Sequence, residues 1–398
     1  MRVEELKGRI VFLTNSKPTI EIEAVTRNGV CRASVPMGTS RGKYEVKYVD
    51  PKKALRRFEI IKPMFIREDF ENQKEVDEKI KEIGGERLED IGGNLALALS
   101  SVFLKCFALE NNMEVFEFLR EKYNIKNGFP FPVCNVIGEW KESDVQEILL
   151  LPFSQESFLE SVEKISRVYL ELAGILEKED PMFRHGKNIE SAWVSSLPLE
   201  KLLQIVCKLA RKYMLFVGMD VAASNLWDGK RYFLPVSEKE FTPLEYLNFI
   251  QKLLKKYPIF YVEDPFHEDD FDSFAVLTHD FPDKLIVGDD LYATNLERLK
   301  VGCEKRATNA LIIKPNQVGT ISDVIETVLY AKKNGLKTVF SHRSGESDDV
   351  LICHLAVGLG ADYVKFGISG ERVVKLNEMT VSYTHLRAHE TEADLVCR

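Results

Sequence analysis

From about Phe129 onward, one pattern repeats along the sequence: a short apolar run ends in a polar residue, and most of the later runs are followed by a helix-like segment. Repeated strand–helix units predict a parallel sheet covered by helices. About eight units within roughly 250 residues fit a closed (β/α)8 barrel better than an open doubly wound sheet, which stays the alternative. The runs are FPVCNVI, QEILLLP, YMLFVGMD, YPIFYVED, KLIVGDD, ALIIKPN, TVFSH and DYVKFG.

The first third of the chain has a different pattern. Residues 9–60 alternate between apolar and polar positions as strands do, and Asn28-Gly29 between two of these runs predicts a hairpin. Residues 52–126 have the apolar spacing of helices. Together these patterns predict a small α+β domain that caps the barrel. The predicted domains are a cap of residues 1–127, a barrel of residues 128–380, and an atypical tail of residues 381–398 that has weak apolar periodicity and lies outside the fold.

Composition excludes several classes of function. Lys and Arg number 54 against 62 Asp and Glu, so the net charge is −8, and without a basic stripe we expect no nucleic-acid partner. The seven cysteines are scattered and form no CxxC pair, which is typical of reduced thiols in a cytoplasmic enzyme. The first residues lack the long apolar core of a signal peptide, and no run reaches 18 apolar residues. The sequence therefore predicts neither a leader nor a membrane span.

Charged residues stand at the ends of the predicted barrel strands, and the carboxyl ends of such strands face the active site. A single Asp after a strand is usually a turn former or a helix cap. Here three successive strands end in a carboxylate and the next ends in a lysine, which favours a Mg²⁺ site with oxygen ligands. A cation nearby would lower the pKa of that lysine toward that of a usable base. The series is Glu147, Asp220, Glu263, Asp289, Lys314, His342 and Lys365.

A divalent cation beside a lysine is suited to removing the weakly acidic proton next to a carboxylate, because the enolate-like intermediate needs strong electrostatic stabilisation. The motifs around these residues resemble those of the enolase (phosphopyruvate hydratase) family, whose superfamily uses this arrangement. The resemblance runs in the same order from about residue 9 to about residue 379. The matching motifs are GMDVAAS at 218–224, EDPF at 263–266, GDDL at 288–291, LIIKPNQVGT at 311–320, SHRSGE at 341–346 and VKFG at 364–367.

The resemblance implies an enolase-type barrel with an N-terminal cap, and a reversible dehydration of 2-phosphoglycerate to phosphoenolpyruvate that depends on Mg²⁺. It implies one Mg²⁺ held by Asp220, Glu263 and Asp289, and it also implies a homodimer or a larger homo-oligomer. The other residues that it assigns are Lys314 as the base, Glu190 as the acid with Glu147 assisting it, Gln146 and Lys365 beside the substrate, His342, Arg343 and Ser344 at the phosphate and carboxylate, and Ser40 at a second Mg²⁺.

Two catalytic loops depart from the family pattern. The loop NVIGEWKESDVQE is shorter than the family's and lacks its histidine, and the segment NIESAWVSSL keeps Glu190 but not the neighbouring glycines. The metal and base residues are intact. Three interpretations therefore stay open: an enolase, an enolase-like paralogue with an altered substrate or weak activity, and a protein that only binds a phosphorylated metabolite or a partner.

Overall fold

The structure, a computed structural model, describes residues 1–39, 42–125, 128–139, 143–154 and 157–396, with side chains through residue 386. Its N-terminal part is a three-stranded antiparallel sheet in the order β1-β2-β3, packed on helices. The predicted hairpin at Asn28-Gly29 is confirmed, since β2 and β3 pair from that turn. The elements of this part are β1 (Glu5–Phe12), β2 (Pro18–Thr26), β3 (Gly29–Ser34), α1 (Pro51–Ile61), α2 (Gln73–Gly84), α3 (Gly93–Glu110) and α4 (Val115–Tyr123).

Helix α3 forms the centre of this cap. It is apolar on all sides, and by length and composition it could cross a membrane, but 83% of it is buried inside the protein. A helix that is hydrophobic all round is the core helix of a larger protein when other elements cover it. The rest of the cap supplies that cover, because α2 and the strands β2 and β3 pack against α3.

The second part is a closed barrel of eight strands, which confirms the predicted fold class. Its first elements are β4 (Phe131–Gly138), β5 (Glu147–Pro152), α5 (Phe158–Glu179), α6 (Leu199–Lys212), β6 (Leu215–Asp220), the hairpin β7 (Tyr232–Leu234) and β8 (Lys239–Phe241), and α7 (Pro243–Lys256). The remaining elements are β9 (Ile259–Glu263), α8 (Phe271–Asp280), β10 (Leu285–Gly288), α9 (Leu296–Lys305), β11 (Ala310–Ile313), α10 (Pro315–Val318), α11 (Ile321–Lys333), β12 (Lys337–Ser341), α12 (Leu351–Gly358), β13 (Tyr363–Lys365) and α13 (Val373–Val396). Short 3₁₀ segments occupy Lys62–Met64, Ala223–Leu226 and Gly370–Arg372.

One strand corrects the sequence analysis, which expected a parallel sheet throughout. β5 runs antiparallel to both of its neighbours, β4 and β6. Only residues 139–146 separate β4 from β5, whereas a parallel crossover needs about a dozen residues or more. Glu147 therefore begins its strand instead of ending it. Because β5 is reversed, its first residue still lies at the end of the barrel where the other strands finish, paired with Asp220.

Helix α13 runs through the predicted boundary at residue 380 and continues to Val396. The segment after residue 380 contains neither Pro nor Gly, so nothing in it breaks the helix. Tyr383, inside the segment predicted as a tail, packs edge-on against Phe129 with ring centroids 5.0 Å apart. The first turn of that segment thus contacts the barrel. The division of the chain at residues 127 and 380 stays a prediction.

The cap and the barrel share buried polar contacts at the start of α11. The backbone N–H of Ser322 donates to Asp77 on α2 over 2.8 Å, and that of Ile321 donates to Ser100 on α3 over 2.8 Å. Asp77 is 1% exposed, and it also accepts a hydrogen bond from Gln73. The first N–H groups of a helix have no partners within that helix. Side chains of the cap therefore accept hydrogen bonds from two of these groups at the start of α11.

The burial of Asp77 predicts a specific pH dependence of stability. Burial raises the pKa of Asp77 from 3.8 to about 6, so stability that is present below pH 3.8 is lost as the pH rises through 6, by about 3 kcal/mol. In an Asp77→Asn variant this part of the pH dependence should disappear. Urea unfolding midpoints between pH 4 and pH 7 test it. Asp323→Asn, which changes an acid in the first turn of α11, is the control and should keep the wild-type slope.

Candidate active site

The residues predicted as a site meet at one end of the barrel, around a cavity of about 70 Å³. Seven carboxylates line this cavity against three cationic side chains, so the surroundings carry an excess of negative charge. Ser40, predicted at a second Mg²⁺, lies outside the described residues. The predicted residues in the lining are Gln146, Glu147, Glu190, Asp220, Asp289, Lys314, His342, Arg343, Ser344 and Lys365.

Lys365, the last residue of β13, lies at the centre of three carboxylates. Its Nζ is 2.7 Å from Asp220 Oδ2, 2.8 Å from Glu147 Oε2 and 2.9 Å from Glu263 Oε2. Burial lowers the pKa of Lys365, but the three carboxylates outweigh burial and raise it well above the ordinary value. Burial also raises the pKa of Asp220, to about 6, and Glu147 adds to the increase. The lysine therefore stays charged and holds together two of the predicted metal ligands.

Lys314 follows β11 and contacts the third predicted ligand. Its Nζ forms an ion pair with Asp289 Oδ2, and its backbone N–H donates to Thr294 Oγ1 over 2.9 Å. Burial lowers the pKa of Lys314, but Asp289 more than offsets burial, so the pKa lies above its ordinary value. The sequence analysis expected the opposite direction, a pKa of Lys314 lowered by a nearby cation. A lowered pKa would require a cation that competes with Lys314 for Asp289.

Glu147 and Glu190 form a pair of carboxyl groups beside Lys365, with side chains 4% and 16% exposed. The Asn135 amide donates to both of them, with Nδ2 3.1 Å from Glu190 Oε2. Burial raises the pKa of Glu147, and the Glu190 charge adds to the increase. Burial would also raise the pKa of Glu190, but Arg372 and a hydrogen bond from Glu147 more than offset it and lower that pKa. A proton shared by the pair is therefore favoured on Glu147 over Glu190.

His342 completes this side of the cavity. Its Nε2 lies 3.4 Å from Glu190 Oε2, and the side chain is 2% exposed. Burial lowers the pKa of His342 well below its usual range, and Arg372 lowers it further. The imidazole is therefore neutral.

Arg343 links the barrel to the cap segment that follows β3. Its Nη1 is 2.9 Å from Glu45 Oε1. A Cβ placed on Gly38 would lie 1.9 Å from Arg343 Nη2, so only glycine allows the segment to cross the guanidinium group at this distance. Next to it, the Thr39 N–H donates to Ser344 Oγ over 2.8 Å. The cap segment thus lies directly against two residues predicted to bind phosphate.

Family models match both parts of the chain. The model of the enolase N-terminal domain covers residues 3–119, and that of the enolase C-terminal TIM barrel domain covers residues 126–389. The chain belongs to the enolase family. The predicted resemblance and the prediction of an enzyme are thereby confirmed.

Curated enolases match almost the whole chain. The enolase of Pyrobaculum aerophilum is 36% identical over 95% of this chain and 96% of its own length. Those of Methanothermobacter thermautotrophicus and Archaeoglobus fulgidus are 35% and 34% identical, again over 95% of this chain. Enolases are enzymes, and the similarity to these relatives supports the predicted enolase activity.

Two further buried residues of this enolase-family site support predicted ligands, and the sequence analysis did not assign them. Tyr261 donates its hydroxyl to Glu263 Oε2 over 2.7 Å. It precedes Glu263 by two residues on β9, and strand residues two apart share a face, so the spacing alone could have found it. Asp264 has a positive φ of 40° and accepts the backbone N–H groups of Asp289 and Asp290 over 2.9 and 2.7 Å. It holds the turn that carries Asp289.

The donor set of this enolase-family site fits a divalent cation such as Mg²⁺, which the family generally requires. Asp220, Glu263 and Asp289 offer only carboxylate oxygens, the ligands that Mg²⁺ prefers. Among the described residues, Glu263 Oε1 is buried and has no hydrogen-bond partner, and an unpaired buried carboxylate oxygen is costly unless a cation or donor meets it. In the described part of the chain, the oxygens of a different group, Asp264, Asp289 and Asp290, lie within 4.8 Å of one another. Asp289 belongs both to this group and to the predicted ligand set.

Proposed function

We propose that this chain catalyses the reversible dehydration of 2-phosphoglycerate to phosphoenolpyruvate and depends on Mg²⁺ to do so. The observation that carries the proposal is that one lysine, Lys314, and a pair of carboxyl groups, Glu147 and Glu190, line the same small cavity. A base and an acid placed around one substrate are what an elimination across two adjacent carbons requires. The full-length similarity to curated enolases supports the same reaction.

Lys314 is the proposed base, and its Nζ takes the proton from the carbon next to the substrate carboxylate. It must first be neutral, and its ion pair with Asp289 opposes this by raising the pKa of Lys314. Asp220, Glu263 and Asp289 would hold the Mg²⁺, which when bound would stabilise negative charge on the substrate carboxylate. Lys365 would add a fixed positive charge beside the substrate carboxylate.

Glu190 is the proposed acid and donates a proton to the leaving hydroxyl, which departs as water. The raised pKa of Glu147 and the lowered pKa of Glu190 suit a proton that rests on Glu147 and passes to Glu190 as the hydroxyl leaves. The burial of Glu147, whose side chain is 4% exposed, limits the access of bulk water to this proton. In the reverse direction, the pair takes the proton from the water that adds.

The substrate phosphate would be bound by Arg343 and Ser344 together with His342, the neutral imidazole beside Glu190. Ser40 would serve a second Mg²⁺, and Gln146 would line the substrate site. We further propose that the protein acts in the cytoplasm and assembles at least as a homodimer, which light scattering coupled to gel filtration would measure.

A direct assay tests the proposed reaction. Purified protein with 2-phosphoglycerate and Mg²⁺ should generate the ultraviolet absorbance of phosphoenolpyruvate, and EDTA should abolish it. Absence of turnover while Mg²⁺ still binds by calorimetry would favour the paralogue with an altered substrate. Absence of both, with retained affinity for phosphorylated acids, would favour a protein that only binds them.

A further inference from the structure

One buried amide contacts both carboxyl groups of the proposed acid pair. Asn135 lies within β4, is 1% exposed, and its Nδ2 donates to Glu147 Oε1 and, over 3.1 Å, to Glu190 Oε2. Its Oδ1 is buried and has no partner among the described residues. Of the two ways to orient the amide, only this one directs N–H groups at the carboxylates, because the reverse would place three oxygens together.

The two N–H groups of the amide match the number of carboxyl groups that they meet. Hydrogen bonds to charged groups are stronger than those between neutral groups, and a donor shared by two acids reduces their mutual repulsion. Lys365 contacts Glu147 and His342 contacts Glu190. Among the described side-chain donors, only Asn135 contacts both acids. The amide therefore bridges the two acids.

In the described part of the chain, Asn135 forms no side-chain hydrogen bond with the base side of the cavity. The partners described for Lys314 are Asp289 and Thr294, and neither is a partner of Asn135. The backbone position also restrains the amide: Asn135 pairs with Leu149, and a bulge follows it before Ile137. A β-bulge redirects side chains next to active sites.

We propose that Asn135 is a positioning residue that aligns Glu147 and Glu190 for proton transfer to the leaving hydroxyl, and that it has no part in removing the proton at the α-carbon. This inference rests on the proposed function. It separates two steps of one reaction, since the α-proton is taken by Lys314 and the hydroxyl departs with a proton from Glu190.

The experiment measures both steps in the same sample. Wild type, Asn135→Ala and Asn135→Asp are incubated with Mg²⁺ and 2-phosphoglycerate in ²H₂O. Absorbance follows phosphoenolpyruvate, and proton NMR follows exchange of the α-proton. We expect phosphoenolpyruvate formation to fall roughly 10- to 100-fold while exchange stays within about threefold of wild type. A parallel loss of both, or no loss of either, would overturn the proposal.

A matched control addresses the cost of removing a buried amide. Asn94 is 2% exposed in the cap, and its side chain pairs with the backbone of Val49. Asn94→Ala should lower stability much as Asn135→Ala does, yet leave the ratio of elimination to exchange unchanged. A change of that ratio in Asn94→Ala would show that the ratio reports general loosening, which would also overturn the proposal.

A measurement without substrate distinguishes this inference from the proposed function. The ¹³C carboxyl resonances of Glu147 and Glu190, assigned by their loss in Glu147→Gln and Glu190→Gln, should shift in Asn135→Ala and stay in place in Asn94→Ala. Unshifted resonances overturn the proposal. Shifted resonances in a protein without turnover would uphold the positioning by Asn135 and reject the dehydration reaction.

Discussion

A Lys314→Ala variant is expected to lose both phosphoenolpyruvate formation and solvent exchange of the α-proton, by about 10²- to 10⁴-fold, the contribution typical of a positioned general base. The reason is that Lys314 is the base in the proposed mechanism, and the first bond to break is the one that carries this proton. Absorbance and proton NMR in ²H₂O measure the two quantities. This result differs from that expected for Asn135, whose loss should spare exchange.

The control for Lys314 keeps the charge and removes the base. Arginine stays protonated in proteins, so Lys314→Arg should retain a cation beside Asp289 and be more stable than Lys314→Ala. It should nevertheless be as inactive as Lys314→Ala. Lys300 lies outside the lining of this cavity and its side chain is 41% exposed, so Lys300→Ala should leave both steps unchanged. If Lys314→Ala exchanged the α-proton at the wild-type rate, Lys314 would not be the base.

A Lys365→Met variant is expected to lose about 3–5 kcal/mol of stability in EDTA, the usual cost of leaving buried charges without their partner. Lys365 contacts Glu147, Asp220 and Glu263 within 2.9 Å, so its removal leaves three buried carboxylates facing one another. Mg²⁺ should return more stability to this variant than it adds to wild type, since a cation that binds only the folded protein stabilises it. Urea unfolding with EDTA and with Mg²⁺ measures the difference.

Lys375 provides a buried control for this comparison. Its Nζ pairs with Glu346 over 2.9 Å and the side chain is 2% exposed, but none of the predicted metal ligands is its partner. Lys375→Met should also be destabilised, and Mg²⁺ should help it no more than it helps wild type. Equal rescue of both variants would contradict a cation site at Asp220 and Glu263.

Much of the barrel and of the candidate site could be predicted from the sequence, because both follow local rules. Apolar runs that end in a charged residue predict strands, and parallel strands bring their ends together. Asp220, Glu263 and Lys365 were therefore expected to lie near one another, and they do. The direction of β5 was not predicted, because it depends on the length of one connection rather than on the strand itself.

The unpredicted parts of the site depend on contacts that no local pattern reveals. Asn135 lies inside an apolar strand, where a polar residue has many possible explanations. The ion pair of Arg343 with Glu45 joins residues far apart in the chain, and it forms only because the cap docks on the barrel. Tyr261 is different, since its spacing from Glu263 was visible and its aromatic ring suggested only a core residue.

The contacts at the start of α11 have a consequence for how the protein unfolds. Asp77 and Ser100 of the cap complete a helix of the barrel, and one apolar cluster extends through both parts. Neither part can then open alone without exposing backbone amides of the other. We therefore expect amide hydrogen exchange in α2 and α11 to follow a single opening event, with the cap and the barrel unfolding as one cooperative unit.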